Sequence, residues 1–294
     1  MPEINPQKPI IEPSQLAQRL EMPTLLIFDC RFQLGSPEEG RTAYQESRIP
    51  GAKYLHLDED LSSPIGDGSG GRHPLPDMVS FWSKMARFGV DSHSLVVCYD
   101  ASGGAYASRF WWMLKWSGFV NVWVLNGGWQ AWNASGFPID ESSRPAQRVA
   151  PEVIAAQVLS HPSFELQTQF RAKAGDFAKD LAHSNLVDSR THDRFLGENE
   201  VIDHVAGHIP HAQNLPWGDN LNADGTFKSQ TVLRERFQTL YEGENRPIFY
   251  CGSGVTACHN ILATQIAGFP MPSLYAESWS GWISDSDRPV QTGA

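Results

Sequence analysis

The sequence predicts an α/β protein made of two tandem copies of one domain. Short apolar runs alternate with helical stretches, which is typical of a mainly parallel sheet with helices on both faces. Landmarks also recur in the same order: Asp29 and Asp188 each begin an Asp-x-Arg pair and lie 159 residues apart, and Ile49-Pro50 recurs as Ile209-Pro210, 160 residues on. Gly118-Phe119 and the Trp129-x-x-Trp132 pattern both recur 150 residues later. A nearly constant offset indicates an internal duplication.

The elements of the first copy follow from apolar periodicity and turn signals. A helix is expected over 14–20 with Ser14 as its N-cap, and Gly127-Gly128 is expected to turn the chain into a last helix. The tryptophans of the stretch 106–117 are expected in the core. Strands are predicted at 25–29, 94–99 and 122–125, and further helices at 81–88 and 106–117.

Domain boundaries follow from the repeat and from composition. The first copy is predicted over 8–140, a Pro-rich polar linker over 141–162, and the second copy over 163–290. The first copy is longer because of a Gly/Ser/Pro-rich insertion around 62–76, which is expected to be a surface loop of functional interest.

Bulk composition excludes several classes of protein. The net charge of −10 argues against nucleic acid or an anionic membrane as the main partner. No apolar stretch reaches 18 residues and no secretion signal follows Met1, so a cytoplasmic location is expected. The four cysteines form neither a disulfide scaffold nor a zinc pattern, and Cys30 and Cys98 are expected to be buried core residues.

One cysteine stands at the centre of the strongest local pattern, Tyr250-Cys251-Gly252-Ser253-Gly254-Val255-Thr256-Ala257. The apolar run before it predicts a buried strand, and the residues 258–266 have apolar side chains at helical spacing. A glycine-bearing loop between strand and helix can turn its N–H groups into one concavity, and the helix N-terminus adds positive potential. Both features favour a thiolate, so the sequence predicts a nucleophile at Cys251.

Asp100 occupies the matching place in the first copy. Aligning the strand ends 96–99 and 247–250 puts Asp100 opposite Cys251. An aspartate can accept the same loop N–H groups and act as a structural filler. We therefore expect the second copy to carry the chemistry, and the first to complete the wall of a small-molecule site in the cleft between the domains.

Together these motifs resemble the two-domain rhodanese/sulfurtransferase family over nearly the whole chain. The segments Asp188-Ser189-Arg190, Gly207-His208-Ile209-Pro210 and Trp279-Ser280-Gly281-Trp282 are also similar to those of the family. The Cys251 loop resembles that of 3-mercaptopyruvate sulfurtransferases, whereas thiosulfate-preferring rhodaneses carry basic residues after the cysteine. The resemblance implies two tandem rhodanese-like domains.

The activity implied by the resemblance is sulfur-atom transfer without a metal or cofactor. A small anionic donor, 3-mercaptopyruvate, would give its sulfur to Cys251 as a persulfide and release pyruvate. A thiol, a thioredoxin-like protein or cyanide would then accept the sulfur. Two alternatives remain: a thiosulfate sulfurtransferase on the same scaffold, and a non-catalytic sulfur-carrier or binding module.

The resemblance also assigns site residues. It implies a catalytic set of Cys251, Ser253, His73 and Asp58, with His73 relaying protons and Asp58 fixing its tautomer. It implies a substrate-binding set of Arg194, Gly252, Gly254, Val255 and Thr256. The alternatives are structural: loop residues at His73 and Ser253, a helix cap at Asp58 and a surface charge at Arg194. Arg190 is expected to pair with Asp188 or the following loop.

One departure concerns the substrate arginines. Mercaptopyruvate enzymes carry a second arginine about nine residues after the first, and here Asp203 takes that place in the acidic segment 198–203. The loss of a charge-assisted contact would cost about 1.5–3 kcal/mol of donor binding. Arg72 and Arg109 are candidate replacements.

Two other enzyme classes conflict with the sequence. A Cys-x5-Arg phosphatase needs an arginine where the chain has Ala257. A serine hydrolase needs Gly-x-Ser-x-Gly at a strand end, and the sequence has none there.

Overall fold

The computed structural model describes residues 8–142 and 165–294, and this part of the chain divides into two compact units. The first unit contains most of the N-terminal half and also Ala223–Phe227. The second unit contains Pro64–Leu75, Thr168–Asn222 and Lys228–Ala294. Most of the predicted insertion therefore belongs by its contacts to the second unit. The predicted boundaries stay a prediction, and the linker 141–162 lies outside the described residues except for 141–142.

The first unit contains a parallel five-stranded sheet with the order β1-β5-β4-β2-β3. Its strands are β1 (Ile10–Ile11), β2 (Leu25–Asp29), β3 (Lys53–Tyr54), β4 (Leu95–Tyr99) and β5 (Val122–Leu125). Its helices are α1 (Pro13–Ala17), α2 (Glu38–Glu46), α3 (Leu57–Asp60), α4 (Met78–Arg87), α5 (Ala107–Trp116) and α6 (Gly128–Ala134).

The second unit repeats this sheet with the equivalent order β6-β10-β9-β7-β8. Its strands are β6 (Arg171–Ala172), β7 (Leu186–Asp188), β8 (Gln213–Asn214), β9 (Ile248–Tyr250) and β10 (Ser273–Tyr275). Its helices are α7 (Ala174–Phe177), α8 (His192–Leu196), α9 (Gln230–Phe237), α10 (Ala257–Ile266) and α11 (Ser278–Trp282). Short 3₁₀ turns cover Thr168–Phe170, Leu181–His183, Trp217–Asn220 and Gln238–Tyr241.

The strand order places helices on both faces of each sheet. After β2 the chain steps outward to β3 and then returns past β2 to β4 and β5. Because parallel crossovers are right-handed, steps in opposite directions put their connections on opposite faces. The predicted α/β class, with two copies of a mainly parallel sheet that carries helices on both faces, is confirmed.

The repeat extends to buried polar contacts. The Nη2 atom of Arg31 lies 2.6 Å from an oxygen of Asp29, and Arg190 makes the same 2.6 Å contact with Asp188. Each guanidinium also lies over a tryptophan ring, at 4.8 Å from Trp129 for Arg31 and 4.9 Å from Trp279 for Arg190. A buried salt bridge is stable only when its hydrogen bonds offset the free-energy cost of removing both charges from water. Both copies form the same hydrogen-bonded pair. Arg190 is therefore paired as predicted.

The structure confirms the predicted burial of the tryptophans in α5 and corrects the predicted start of α1. The tryptophans Trp111, Trp112 and Trp116 are buried in α5, as predicted. The predicted N-cap at Ser14 is wrong, because α1 begins at Pro13 and is capped by Glu12, whose N–H donates to Gln15 Oε1 at 3.0 Å. Proline is favoured at the first helical position because its missing N–H has no partner to lose there.

No helix within 8–142 and 165–294 has the length and apolar character that a membrane span requires.

Candidate active site

Cys251 lies at the carboxyl end of β9, where the chain turns toward α10. The residue is 1% exposed, and its Sγ accepts the N–H of Gly254 at 3.2 Å. The turn ends at Thr256, the N-cap of α10, after the buried Val255. The N-terminus of a ten-residue helix adds positive potential on this side of the sulfur. The predicted strand–loop–helix arrangement around Cys251 is confirmed.

Two glycines shape this loop for different reasons. Gly254 has φ +76°, and a Cβ on it would lie 2.2 Å from the carbonyl oxygen of Ala276, so any side chain would force the backbone apart. A Cβ on Gly252 would lie 2.9 Å from Nη2 of Arg72 and 3.6 Å from Nη2 of Arg194. Gly252 thus leaves room for two guanidinium groups next to the cysteine.

Ser253 and His73 form a buried polar pair. The Ser253 hydroxyl and Nδ1 of His73 are 2.7 Å apart, and both residues are less than 8% exposed. The segment that carries His73 is fixed to the second unit, since the Arg72 N–H donates to Ser280 Oγ at 3.0 Å. A Cβ on Gly71 would lie 2.5 Å from the Glu277 carbonyl oxygen, which shows how closely the two backbones approach.

Arg194, in α8, points toward the loop and is held by carboxylates. Its Nε lies 3.0 Å from Glu200 Oε2, and its Nη2 lies 2.9 Å from Glu200 Oε1 and 3.1 Å from Asp203 Oδ2. Asp203 also pairs with Nη1 of Arg72. Of the two candidate replacements for the missing arginine, Arg72 therefore lies beside the loop. Arg109 lies in the first unit, buried in α5, where its Nη2 is 3.5 Å from the Leu61 carbonyl oxygen.

Asp58 is the one predicted catalytic residue that lies in the first unit. It is exposed in the first turn of α3, and its N–H donates to Nδ1 of His56 at 3.2 Å. The N-cap of α3 is His56 rather than Asp58, so the alternative of a helix cap at Asp58 is wrong.

Asp100 fills the corresponding loop of the first unit. Its carboxylate accepts four backbone N–H groups, from Ser102, Gly104, Tyr106 and Ala107, at 2.7–2.9 Å. The interpretation of Asp100 as an acceptor for loop N–H groups is confirmed.

Two residues without a predicted site role, Ser278 and Trp279, form hydrogen bonds to the backbone of Cys251. Ser278 Oγ accepts the Cys251 N–H at 3.1 Å, and the N–H of Trp279 donates to the Cys251 carbonyl oxygen at 2.9 Å. Ser278 has φ +53°, and its counterpart Gly128 has φ +56°. The repeated Trp-x-x-Trp pattern marked this position, because a serine there replaces a glycine of the first copy.

Two further thiols, Cys30 and Cys98, and a cluster of two glutamates and a histidine are poorly suited to form a second site. Burial raises the pKa of Cys30 and of Cys98, as expected for inert core thiols. Glu38, His56 and Glu59 bring ligand atoms within 4.8 Å of one another. However, Nδ1 of His56 accepts two backbone N–H groups, so a neutral ring carries its proton on Nε2, the atom that faces Glu38. A metal cannot bind a protonated nitrogen.

The fold and the loop define a class: paired α/β domains, one of which holds a cysteine at the end of a strand, where a loop N–H donates to its sulfur. The Rhodanese-like domain model matches residues 12–135 and 173–285. The chain belongs to the two-domain rhodanese family of sulfurtransferases.

Relatives with this organisation include enzymes of both donor types. A probable 3-mercaptopyruvate sulfurtransferase of Pseudomonas aeruginosa is 45% identical, with 97% of this chain and 98% of the relative covered. The thiosulfate sulfurtransferase of Mus musculus is 33% identical over 89% of this chain and 86% of its own length. The solved 3-mercaptopyruvate sulfurtransferase from Leishmania major superposes with a TM-score of 0.79 at 31% identity, covering 94% of this chain and 74% of that one.

Proposed function

We propose that this sulfurtransferase takes the sulfur atom of 3-mercaptopyruvate onto Cys251 as a persulfide and passes it to a thiol, a thioredoxin-like protein or cyanide. The observation that carries the proposal is the 2.7 Å contact between Ser253 Oγ of the cysteine loop and His73 Nδ1. This pair offers an exchangeable proton beside the nucleophile. A reducing compartment such as the cytoplasm would supply thiol acceptors.

The proposed reaction has two steps, formation of a persulfide on Cys251 and transfer of its outer sulfur to an acceptor. The Cys251 thiolate attacks the donor's thiol sulfur, the carbon–sulfur bond breaks, and its electron pair leaves with carbon as the enolate of pyruvate. The Ser253–His73 pair supplies the proton that converts the enolate to pyruvate. An acceptor nucleophile then attacks the outer sulfur of the persulfide and restores the Cys251 thiolate.

The proton source distinguishes the two donors. The enolate of pyruvate is a strong base that must be protonated, whereas sulfite leaves thiosulfate as a stable anion. The pair of the Ser253 hydroxyl and the His73 imidazole therefore supports the mercaptopyruvate reaction more than the thiosulfate reaction. The 45% identity to a probable 3-mercaptopyruvate sulfurtransferase supports the same choice.

The remaining roles belong to the same proposal. Arg194 binds the donor carboxylate, since its guanidinium lies beside Gly252. Gly252, Gly254, Val255 and Thr256 shape the cradle around the donor, and Asp58 orients His73.

The test compares two donors on the intact protein. With 3-mercaptopyruvate we expect pyruvate and a mass gain of one sulfur atom on the Cys251 peptide, and a slower sulfur release from thiosulfate. Cys251→Ser should lose both products, while the matched control Cys30→Ala, which changes a buried thiol of the first unit, should keep them. Folded wild-type protein that yields neither pyruvate nor persulfide would refute the enzyme mechanism. A faster thiosulfate reaction would refute the donor assignment alone.

A further inference from the structure

Three guanidinium groups and three carboxylates form one cluster next to the Cys251 loop. Its salt bridges link Arg72 to Asp203, Arg194 to Asp203 and Glu200, and Arg190 to Glu200 and Asp188. Its formal charge is zero. An anionic donor that approaches Cys251 therefore encounters arginines whose positive charge is already balanced by carboxylates of the protein.

Asp203 takes a place suited to a ligand carboxylate. It lies between Arg72 and Arg194, the two residues whose guanidinium groups come within 3.6 Å of the space left open at Gly252. Its side chain is 4% exposed, in a segment that also carries the exposed Val201. Bridging two guanidiniums is the arrangement that the carboxylate of a small 2-oxo acid would form there.

We propose that Asp203 is an internal competitor of the donor: it bridges Arg72 and Arg194 in the free enzyme and is displaced by the donor's carboxylate, so that it determines how tightly donors bind. The inference rests on the proposed function, because it assigns the donor carboxylate to this pair of arginines. With Asp203 displaced, the cluster has one positive charge in excess, which a monoanionic donor neutralises.

Glu200 stays in place during this exchange. It accepts hydrogen bonds from Arg194 and from the N–H groups of Ile202 and Asp203, both at 3.0 Å, and lies 3.3 Å from Arg190. Burial acts to raise the pKa of Glu200, but these N–H groups and Arg194 lower it below its ordinary value. Glu200 therefore keeps Arg194 oriented, while the carboxylate of Asp203 forms salt bridges with Arg72 and Arg194.

The first test uses the variant Asp203→Asn. It measures the inhibition constant of pyruvate in the enzyme assay and the dissociation constant of pyruvate by calorimetry. We expect pyruvate to bind about tenfold more tightly, and the KM for 3-mercaptopyruvate to fall by a similar factor with kcat changed less than about twofold. The matched control is Glu198→Gln, the same change at an exposed position of the same segment, which should leave both constants unchanged. Unchanged or weaker pyruvate binding in folded Asp203→Asn would overturn the proposal, as would an equal effect of Glu198→Gln.

The second test uses wild-type protein, so it does not depend on how Asp203→Asn folds. Burial raises the pKa of Asp203 above the ordinary aspartate value; Glu200 adds to the rise, and Arg72, Arg194 and Arg190 oppose it. Protonated Asp203 no longer holds the arginines by charge, whereas pyruvate remains ionised. Pyruvate binding to the wild type should tighten as the pH falls through that pKa, and a flat or weakening profile would overturn the proposal.

Pyruvate binding also separates this inference from the proposed function. If the wild type releases no pyruvate from 3-mercaptopyruvate but Asp203→Asn binds added pyruvate more tightly, the donor assignment fails and the exchange at Asp203 stands. If turnover occurs and the substitution changes neither KM nor pyruvate binding, the donor assignment stands and the exchange at Asp203 fails.

Discussion

The contact between His73 and Ser253 gives both side chains a defined orientation. Each residue is almost fully buried, and a buried polar group without a partner costs about 1–3 kcal/mol. The 2.7 Å hydrogen bond satisfies the hydroxyl and one ring nitrogen together. This hydrogen bond keeps both side chains in one orientation. The proposed proton transfer at Cys251 requires such a fixed geometry.

Replacing either member should slow sulfur transfer without unfolding the protein. For Ser253→Ala and His73→Asn we expect kcat with 3-mercaptopyruvate to fall on the order of a hundredfold, since general acid–base catalysis contributes at least that much. Asp58→Asn should give a smaller loss, because Asp58 is proposed to act through His73. The matched control His183→Asn changes an exposed histidine of the second unit and should leave kcat as it is. Unchanged kcat in the first two variants, with wild-type circular dichroism, would remove the proton relay.

The first turn of α11 holds the cysteine loop in position. Ser278, Trp279 and Ser280 each make a hydrogen bond to the backbone of Cys251 or Gly252, at 2.9–3.1 Å. The left-handed backbone of Ser278 costs a non-glycine residue roughly 1–2 kcal/mol, and the strained position supplies the acceptor for the Cys251 N–H. The glycine of the first copy, Gly128, has no side chain to offer such an acceptor.

Two substitutions at Ser278 separate the strain from the hydrogen bond. Ser278→Ala keeps the strain and loses the acceptor, so we expect the free energy of unfolding to fall by about 1–3 kcal/mol. Ser278→Gly loses the same acceptor but relieves the strain, and should be roughly 1 kcal/mol more stable than the alanine variant. Both should slow sulfur transfer, while Ser135→Ala, at an exposed serine, changes neither property. Equal stability of the alanine and glycine variants in urea titrations would contradict the strain.

Local patterns predicted elements whose cause is local. The strands 25–29 and 122–125 match β2 and β5, and the turn from β9 into α10 lies where the glycines and the apolar spacing placed it. The position of Arg72 beside the loop depends on a hydrogen bond to Ser280, 208 residues away. Nothing in the composition of the segment 62–76 indicates that partner. The sequence for this reason left Arg72 and Arg109 as equal candidates, and a tertiary contact places Arg72 beside the loop.

The duplication gives two equivalent loops that differ in the residue at the strand end, which is Asp100 in the first unit and Cys251 in the second. Each loop follows the strand that comes fourth along the chain in its unit, β4 or β9, and leads into a ten-residue helix. In the first, Asp100 satisfies four N–H groups with one carboxylate, and Ala101 stands where the second has Gly252. The carboxylate of Asp100 thus occupies the loop donors of the first unit, whereas in the second unit the N–H of Gly254 donates to the sulfur of Cys251.

Moving the nucleophile to the first unit should therefore fail to move the activity. In the double variant Asp100→Cys with Cys251→Ser, we expect neither pyruvate from 3-mercaptopyruvate nor a persulfide at position 100, because Ser253, His73 and Arg194 all belong to the second unit. The variant should also lose at least about 3 kcal/mol of stability, since a buried carboxylate with four N–H partners is removed. Asp224→Ala, at an exposed aspartate, is the matched control and should cost less than about 1 kcal/mol. Pyruvate release by the folded double variant would show that the first loop is chemically competent, and the difference between the two copies would then lie in the residue at the strand end alone.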